Sequence, residues 1–143
     1  MTTHVRASDV EERWLLYDAS EHNLGRMATS IAMALMGKDR PTYTASELCG
    51  AHVVVVNGAK PHFSHQSKGE DKLYHHYSGY QGGMRTFTIE DLAARRPHEI
   101  VQLAVRRMLP KNRLGQSMLK RLKVYAGPEH PHTAQRPVKV EKV

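Results

Sequence analysis

Between Ile100 and Pro128 the chain carries seven basic side chains, Arg106, Arg107, Lys111, Arg113, Lys120, Arg121 and Lys123, and no Asp or Glu. A block of one sign repels itself unless a polyanion neutralises it, so these residues point to phosphates. Leu103, Val105, Leu109, Leu114, Met118, Leu119 and Leu122 are woven through the block, which gives it a buried side as well as a charged one. A second run, Lys72 to Gly83, mixes Lys72, Tyr74, His75, His76, Tyr77 and Tyr80, cations and flat rings that can stack on unpaired bases. Its competing reading is a twisted strand whose rings fill the core, evenly balanced for Tyr77. Tyr80, set among Gly79, Gly82 and Gly83, is expected to be exposed, and those glycines allow close approach to a partner.

Other chemistries fit less well. The ten histidines suggest a metal, with His75-His76 and His130-x-His132 as the obvious ligands. Adjacent strand residues point to opposite faces, however, so His75 and His76 would not chelate one ion and no metal is expected. Gly79-Tyr80-Gln81-Gly82-Gly83 lacks the spacing of a dinucleotide fingerprint, and no phosphate loop or Gly-x-Ser-x-Gly elbow occurs. No cofactor or small-molecule substrate is expected. The single cysteine, Cys49, excludes an intrachain disulfide, has no base beside it, and reads as a small buried hydrophobe.

The charge is unevenly placed. Residues 1–50 hold five basic and seven acidic side chains, residues 51–143 sixteen and seven, so the basic surface belongs to the C-terminal two-thirds. A length of 143 residues suits one domain. The expected division is a polar extension over residues 1–12, a single domain over 13–128 and an extended tail over 129–143. The longest purely apolar run, Val53–Val56, is far too short to span a bilayer, and the N-terminus lacks the apolar stretch of a signal peptide. A soluble, cytoplasmic protein without a membrane partner is expected.

The elements that must position these side chains follow from local pattern. Trp14–Tyr17 is a short β-favouring run. Leu24, Met27, Ala28, Ile31, Ala32 and Leu35 recur at helical spacing, with Gly37 where a left-handed cap falls and Lys38 and Arg40 just past it. Val53–Val56, continuously apolar and β-branched, predicts a central strand covered on both faces, ended by Asn57-Gly58. The polar stretch His62–Asp71 reads as loop. Lys72–Ser78 is strand-like, with Leu73, His75 and Tyr77 on one face and Tyr74 and His76 on the other.

Thr88-Ile89-Glu90-Asp91 matches a capping box, so a short helix should run to about Arg95. Pro97 is expected to open the next helix, with Ile100, Ala104 and Met108 as its buried stripe and Pro110 as its stop. A further helix from about Leu114 to Leu122 leads into Val124-Tyr125-Ala126 and ends at Gly127-Pro128. This alternation predicts an α/β fold.

Leu24-Gly25-Arg26-Met27-Ala28, the Lys72–Gly83 run, Arg95-Arg96-Pro97, Met108-Leu109-Pro110-Lys111 and the run Leu122–His132 together resemble the bacterial large-subunit ribosomal protein L13 family. The resemblance covers about Trp14 to Pro137. It implies a three-layer α/β/α fold around a small, mostly parallel four-stranded sheet. It also implies a non-enzymatic structural protein that binds large-subunit (23S) rRNA, meets neighbouring ribosomal proteins and supports early assembly. The chain departs from the family pattern at Gly50-Ala51-His52, Asn57-Gly58-Ala59-Lys60 and Phe63-Ser64-His65-Gln66, where Lys68 is left as a substitute cation.

The Arg106–Lys123 block is the first expected RNA-binding set. Arg26, Lys38, Arg40, Lys72, Tyr80, Arg95 and Arg96 form the second, joined by Lys60, Lys68, Tyr74, His76, Gly82 and Gly83. The tail residues His130, His132 and Arg136 are expected to become ordered only against the particle. Two rival functions remain at this point, a nucleic-acid-processing enzyme that uses the histidines and an RNA-binding regulator outside the ribosome.

Overall fold

The computed structural model describes residues 4–6, 9–64 and 71–141. In chain order the elements are β1 (Trp14–Asp18), α1 (Leu24–Met36), β2 (His52–Val56), β3 (Leu73–Tyr77), β4 (Met84–Thr88), α2 (Ile89–Arg95), α3 (Glu99–Met108), α4 (Arg113–Lys120), β5 (Leu122–Val124) and β6 (Val138–Lys139). The fold is α/β. Four strands form a parallel sheet in the order β5-β2-β1-β6, and β3 and β4 form a separate antiparallel hairpin.

Alternation along the strands sets the core. Leu15 and Tyr17 of β1 stand beside Val53 and Val55 of β2, and Val53 pairs in turn with Leu122 of β5. These side chains meet Leu24, Met27, Ala28, Ile31 and Leu35 of α1 and Ile100, Val101 and Val105 of α3 in one buried cluster. Val54 and Val56 on the other face are buried too, so the uniformly apolar β2 is covered on both sides as its sequence predicts. The Tyr17 hydroxyl inside this cluster lies 3.0 Å from Ser30 Oγ, and burial raises its pKa.

Local signals mark several boundaries. Asn23 Oδ1 accepts from Gly25 N at the start of α1, and Gly37 ends it with φ +78°. Its amide donates to the Ala34 carbonyl, and a Cβ there would lie 2.9 Å from the Cys49 backbone, so the turn needs glycine. Thr88 and Asp91 form the expected reciprocal capping box of α2.

Other boundaries differ from the sequence reading. Pro97 precedes α3 by two residues, because His98 takes the helical cap position and Glu99 the first helical one. The buried stripe of α3 is Ile100, Val101 and Val105, and Met108 is exposed. Met108 shares the face of Val101 and Val105, but it is the last residue of the helix, and its sulfur reaches the exposed Thr29 Oγ1 of α1 at 3.6 Å. Leu122 belongs to β5, since α4 stops at Lys120 and the chain re-enters the sheet immediately.

The sheet's other face carries Trp14 stacked on His52, ring centroids 4.5 Å apart, and His132 lies 5.1 Å from Trp14. The segment after β5 therefore crosses this face, and no helix occurs in it. It then returns as β6 beside β1, with Val140 N donating to the Leu16 carbonyl and Lys139 Nζ 2.7 Å from Glu21 Oε1. The tail expected to be ordered by a partner is extended but already tied to the fold, because it completes the sheet edge.

Candidate nucleic-acid interface

The hairpin and the two helices behind it bring the scattered cations together. In the β3–β4 ladder Tyr74 pairs with Phe87 and His76 with Arg85, so these four side chains share one face. The capping box turns the chain directly from β4 into α2, and α3 follows after a short turn. Between hairpin and helices lies an open groove of about 480 Å³, lined by His76, Arg85, Arg95, Arg96, Arg106 and Arg107 among others. Glu99 is the carboxylate on its wall, 3.7 Å from Arg96 Nη1. Five guanidinium groups against one carboxylate leave a strongly positive cleft, able to neutralise several phosphates and to bind them bidentately.

The rings in this groove support cations. Tyr74 is 5% exposed, with the Lys72 ammonium and the Arg107 guanidinium each 5.5 Å from its ring centroid. Arg95 lies 5.5 Å from the Phe87 ring in the same manner. Tyr74 was expected as a stacking surface for a base, and its burial corrects that. Its position opposite Phe87 turns it onto the helices, where it anchors the hairpin and pre-orients Lys72 and Arg107. Burial raises the pKa of its phenol, against the opposing influence of Arg107. Tyr77, on the outward face, is 64% exposed, and Tyr80 at the tip is 79% exposed.

Gly82 has φ +72° and open space around it, as close approach of a partner requires. Gly83 serves the turn itself. Its amide donates to the Tyr80 carbonyl, and a Cβ would lie 2.0 Å from Ser78 Oγ.

The positive surface continues along the chain. Lys111 shares a second depression with Arg106 and Arg107, where Asn112 Oδ1 caps α4 by accepting from Gly115 N at 2.7 Å. Arg113, Lys120 and Lys123 are exposed. Arg121 is not: it is half-buried, and its Nη1 donates to the Gly50 carbonyl at 2.6 Å. Desolvation lowers its pKa, with Glu12 opposing. The expectation that it faces outward fails because Arg121 sits in the turn between α4 and β5, directed back at the loop that leads into β2.

The remaining candidates are dispersed. Arg26 and Lys38 are exposed on and just past α1, whereas Arg40 is half-buried with Nη1 donating to the Glu11 carbonyl at 2.8 Å. Lys60 is exposed, and Lys68, with the rest of residues 65–70, lies outside the described residues. His132 is engaged within the chain, with Nε2 2.9 Å from the Tyr125 hydroxyl and its amide donating to His130 Nδ1. Arg136 is exposed at φ +46°.

Arg85 escaped the sequence reading because β4 was not recognised. The signal was present, since Met84-Arg85-Thr86-Phe87-Thr88 is β-prone and follows a Gly-Gly turn after another strand. No helix among the described residues is long and apolar enough to cross a membrane.

Comparison with known proteins matches this sequence to a family. The family model for ribosomal protein L13 matches residues 12–131. Among curated proteins, the large ribosomal subunit protein uL13 of Thermus thermophilus is 49% identical over 141 residues, covering 99% of both chains. That of Thermotoga maritima is 48% identical over 140 residues, with 98% of this chain and 93% of the relative covered. That of Thermosipho africanus is 47% identical over 139 residues, 97% and 93% covered. With matches of this identity over nearly its whole length, the chain belongs to the ribosomal protein L13 family.

Proposed function

We propose that the chain is a non-catalytic structural constituent of the large ribosomal subunit in the cytoplasm. In this reading it binds 23S rRNA through the groove between the β3–β4 hairpin and helices α2 and α3, and supports early subunit assembly. The observation that carries it is the convergence of Arg85, Arg95, Arg96, Arg106 and Arg107, from three elements, on a cleft with one carboxylate. Phosphate contacts from these side chains supply affinity and position, and specificity comes from the shape of a folded RNA junction. Lys111, Arg113, Lys120 and Lys123 extend the positive surface. Neighbouring ribosomal proteins are the second class of partner.

The test is the salt dependence of binding to large-subunit rRNA. Each neutralised phosphate contributes about −0.9 to the log–log slope on duplex and about −0.7 on single strands, so about five to eight contacts give a slope of about −4 to −7. Replacing Arg85, Arg95 and Arg106 by Gln should reduce that slope by about two to three while the melting temperature holds. A wild-type slope near zero, or a variant slope unchanged, overturns the reading. Incubation of the RNA with protein and divalent metals distinguishes the enzymatic rival, which requires cleaved or modified RNA. Co-sedimentation with the large subunit through moderate salt distinguishes the extra-ribosomal one.

A further inference from the structure

We infer that residues 125–137, between β5 and β6, form a pH-sensitive strap, latched over the sheet by neutral imidazoles and released at its His130–His132 end as the medium turns acid. The inference is independent of the rRNA reading. The latch lies on the sheet face that carries Trp14 and Val54, opposite the face packed on α1 and α3.

The latch is a chain of ring contacts drawn from separate elements. Trp14 of β1 and His52 of β2 are cross-strand partners, stacked with 13° between their planes. His132 of the strap closes on Trp14, and its ring lies 6.4 Å from that of His130. The His132 amide donates to His130 Nδ1 at 3.2 Å. A ring nitrogen that accepts an N–H carries no proton, so this turn is made by the neutral imidazole with its hydrogen on Nε2. Protonating Nδ1 replaces the acceptor with a second donor.

The charges around the latch are mostly of one sign. Burial first, then Arg121, hold the His52 pKa below the usual imidazole range, with Glu12 opposing and Lys123 and His132 adding to the depression. Within the strap the exposed Glu129 and Arg136 balance one another. Acid therefore charges three linked rings beside Arg121 and Lys123. The Trp14 face attracts one imidazolium, but His52 and His132 share that ring and repel each other once both are charged.

The far end of the strap is held by contacts that protonation spares. β6 pairs with β1, Lys139 Nζ meets Glu21 Oε1, and His22 Nε2 lies 3.3 Å from the Val140 carbonyl, to which an imidazole only donates. An imidazolium donates equally well, and the pH range in which histidines charge leaves carboxylates ionised. The strap thus lifts at His130–His132 and stays tethered at Val138–Lys139.

Trp14 is the single tryptophan of the chain, so its emission reports on the latch. On the full chain, quenching of that emission by acrylamide, which is uncharged, is measured with lifetimes from about pH 8 to about pH 5. Docking linked to the lowered His52 pKa is complete above the undocked imidazole value of about 6.5 and is lost as pH falls toward the docked one. Opening rises by up to about tenfold per pH unit in that window. Quenching should increase accordingly, while hydrogen exchange shows protection lost at the His132 amide and retained at the Val140 amide, which donates to Leu16. Unchanged quenching overturns the proposal, as does simultaneous loss of protection at both amides, which is unfolding and not release.

The double variant His52→Phe, His130→Asn keeps a ring beside Trp14 and an acceptor for the His132 amide but takes up neither proton. Its quenching profile should flatten. A profile that still follows wild type overturns the assignment to these imidazoles, and if the variant fails to fold, the paired protection of the two amides in wild type decides by itself.

Discussion

Strands β2 and β3 are both five residues long, and they are stabilised in opposite ways. Val53, Val54, Val55 and Val56 of β2 are all buried, between a neighbouring strand on each edge and packed layers on each face. In β3 only Tyr74 is buried, and the strand has a single partner. The parallel sheet is a core element whose stability is distributed over many apolar contacts. The hairpin hangs on one ring, which leaves its remaining side chains free to meet partners. The difference teaches where function can accumulate in this molecule: cations collect along the weakly buried hairpin and the outer sides of α2 and α3, while the sheet holds them in place.

The largest effect that tests this contrast is truncation in each region. Ile100, fully buried beside α1 and the sheet, should lose about 2–5 kcal/mol of unfolding free energy when replaced by Ala. Tyr77→Ala in the isolated protein should stay within about 0.5 kcal/mol of wild type. Chemical denaturation measures both, and a comparable loss at the two positions would erase the distinction between the regions.

A second prediction separates cations that build the fold from cations that face a partner. Arg121→Ala removes the donor to the Gly50 carbonyl, which is buried, and should destabilise by about 1–3 kcal/mol. Lys120→Ala combined with Lys123→Ala should weaken rRNA binding and shift stability by less than about 0.5 kcal/mol. Thermal melts alongside binding assays report the two quantities. Equal destabilisation by both changes would show that the charges of this segment act alike.

The smallest expected effect concerns Asp18, at the end of β1. Partial burial works against its charge, but the Ser20 hydroxyl, the Asn57 side-chain amide and the Ser20 backbone N–H all donate to the carboxylate and hold its pKa below the usual range. A carboxylate with a depressed folded pKa adds stability that is complete above the unfolded value and lost as pH falls through the folded one. Solvent screens this largely exposed carboxylate, so Asp18→Asn should cost less than about 1 kcal/mol near neutrality. The gap to wild type should close as the pH is taken below the unfolded-state value of about 3.9. Unfolding curves across that range check it, and a pH-independent gap would assign the effect to packing instead.

Much of the molecule was legible from neighbouring residues alone. The spacing of Leu24, Met27, Ile31 and Leu35 with Gly37 behind it defined α1, four consecutive valines defined β2, and Thr88 with Asp91 announced α2. Each of these depends on hydrogen bonds or packing within a few residues, so the local pattern suffices. The seven cations without acids between Ile100 and Pro128 likewise marked the positive surface, because net charge needs no folding to be read.

What the sequence by itself determined, then, was the α/β class, the caps at Gly37 and Thr88, the central strand and the sign of the surface. Tertiary structure alone decided which of the alternating residues found a neighbour. Alternation assigns Tyr74 and Tyr77 to opposite faces of β3, but only the placement of α3, thirty residues onward, makes Tyr74 the buried anchor and leaves Tyr77 in water. The same long-range packing draws Arg85 opposite His76, turns Arg121 inward to Gly50 and brings Val138 back beside Leu15. Periodicity is a property of the backbone, but burial is a property of pairs distant in sequence, and it is the second that gathers scattered arginines into one groove.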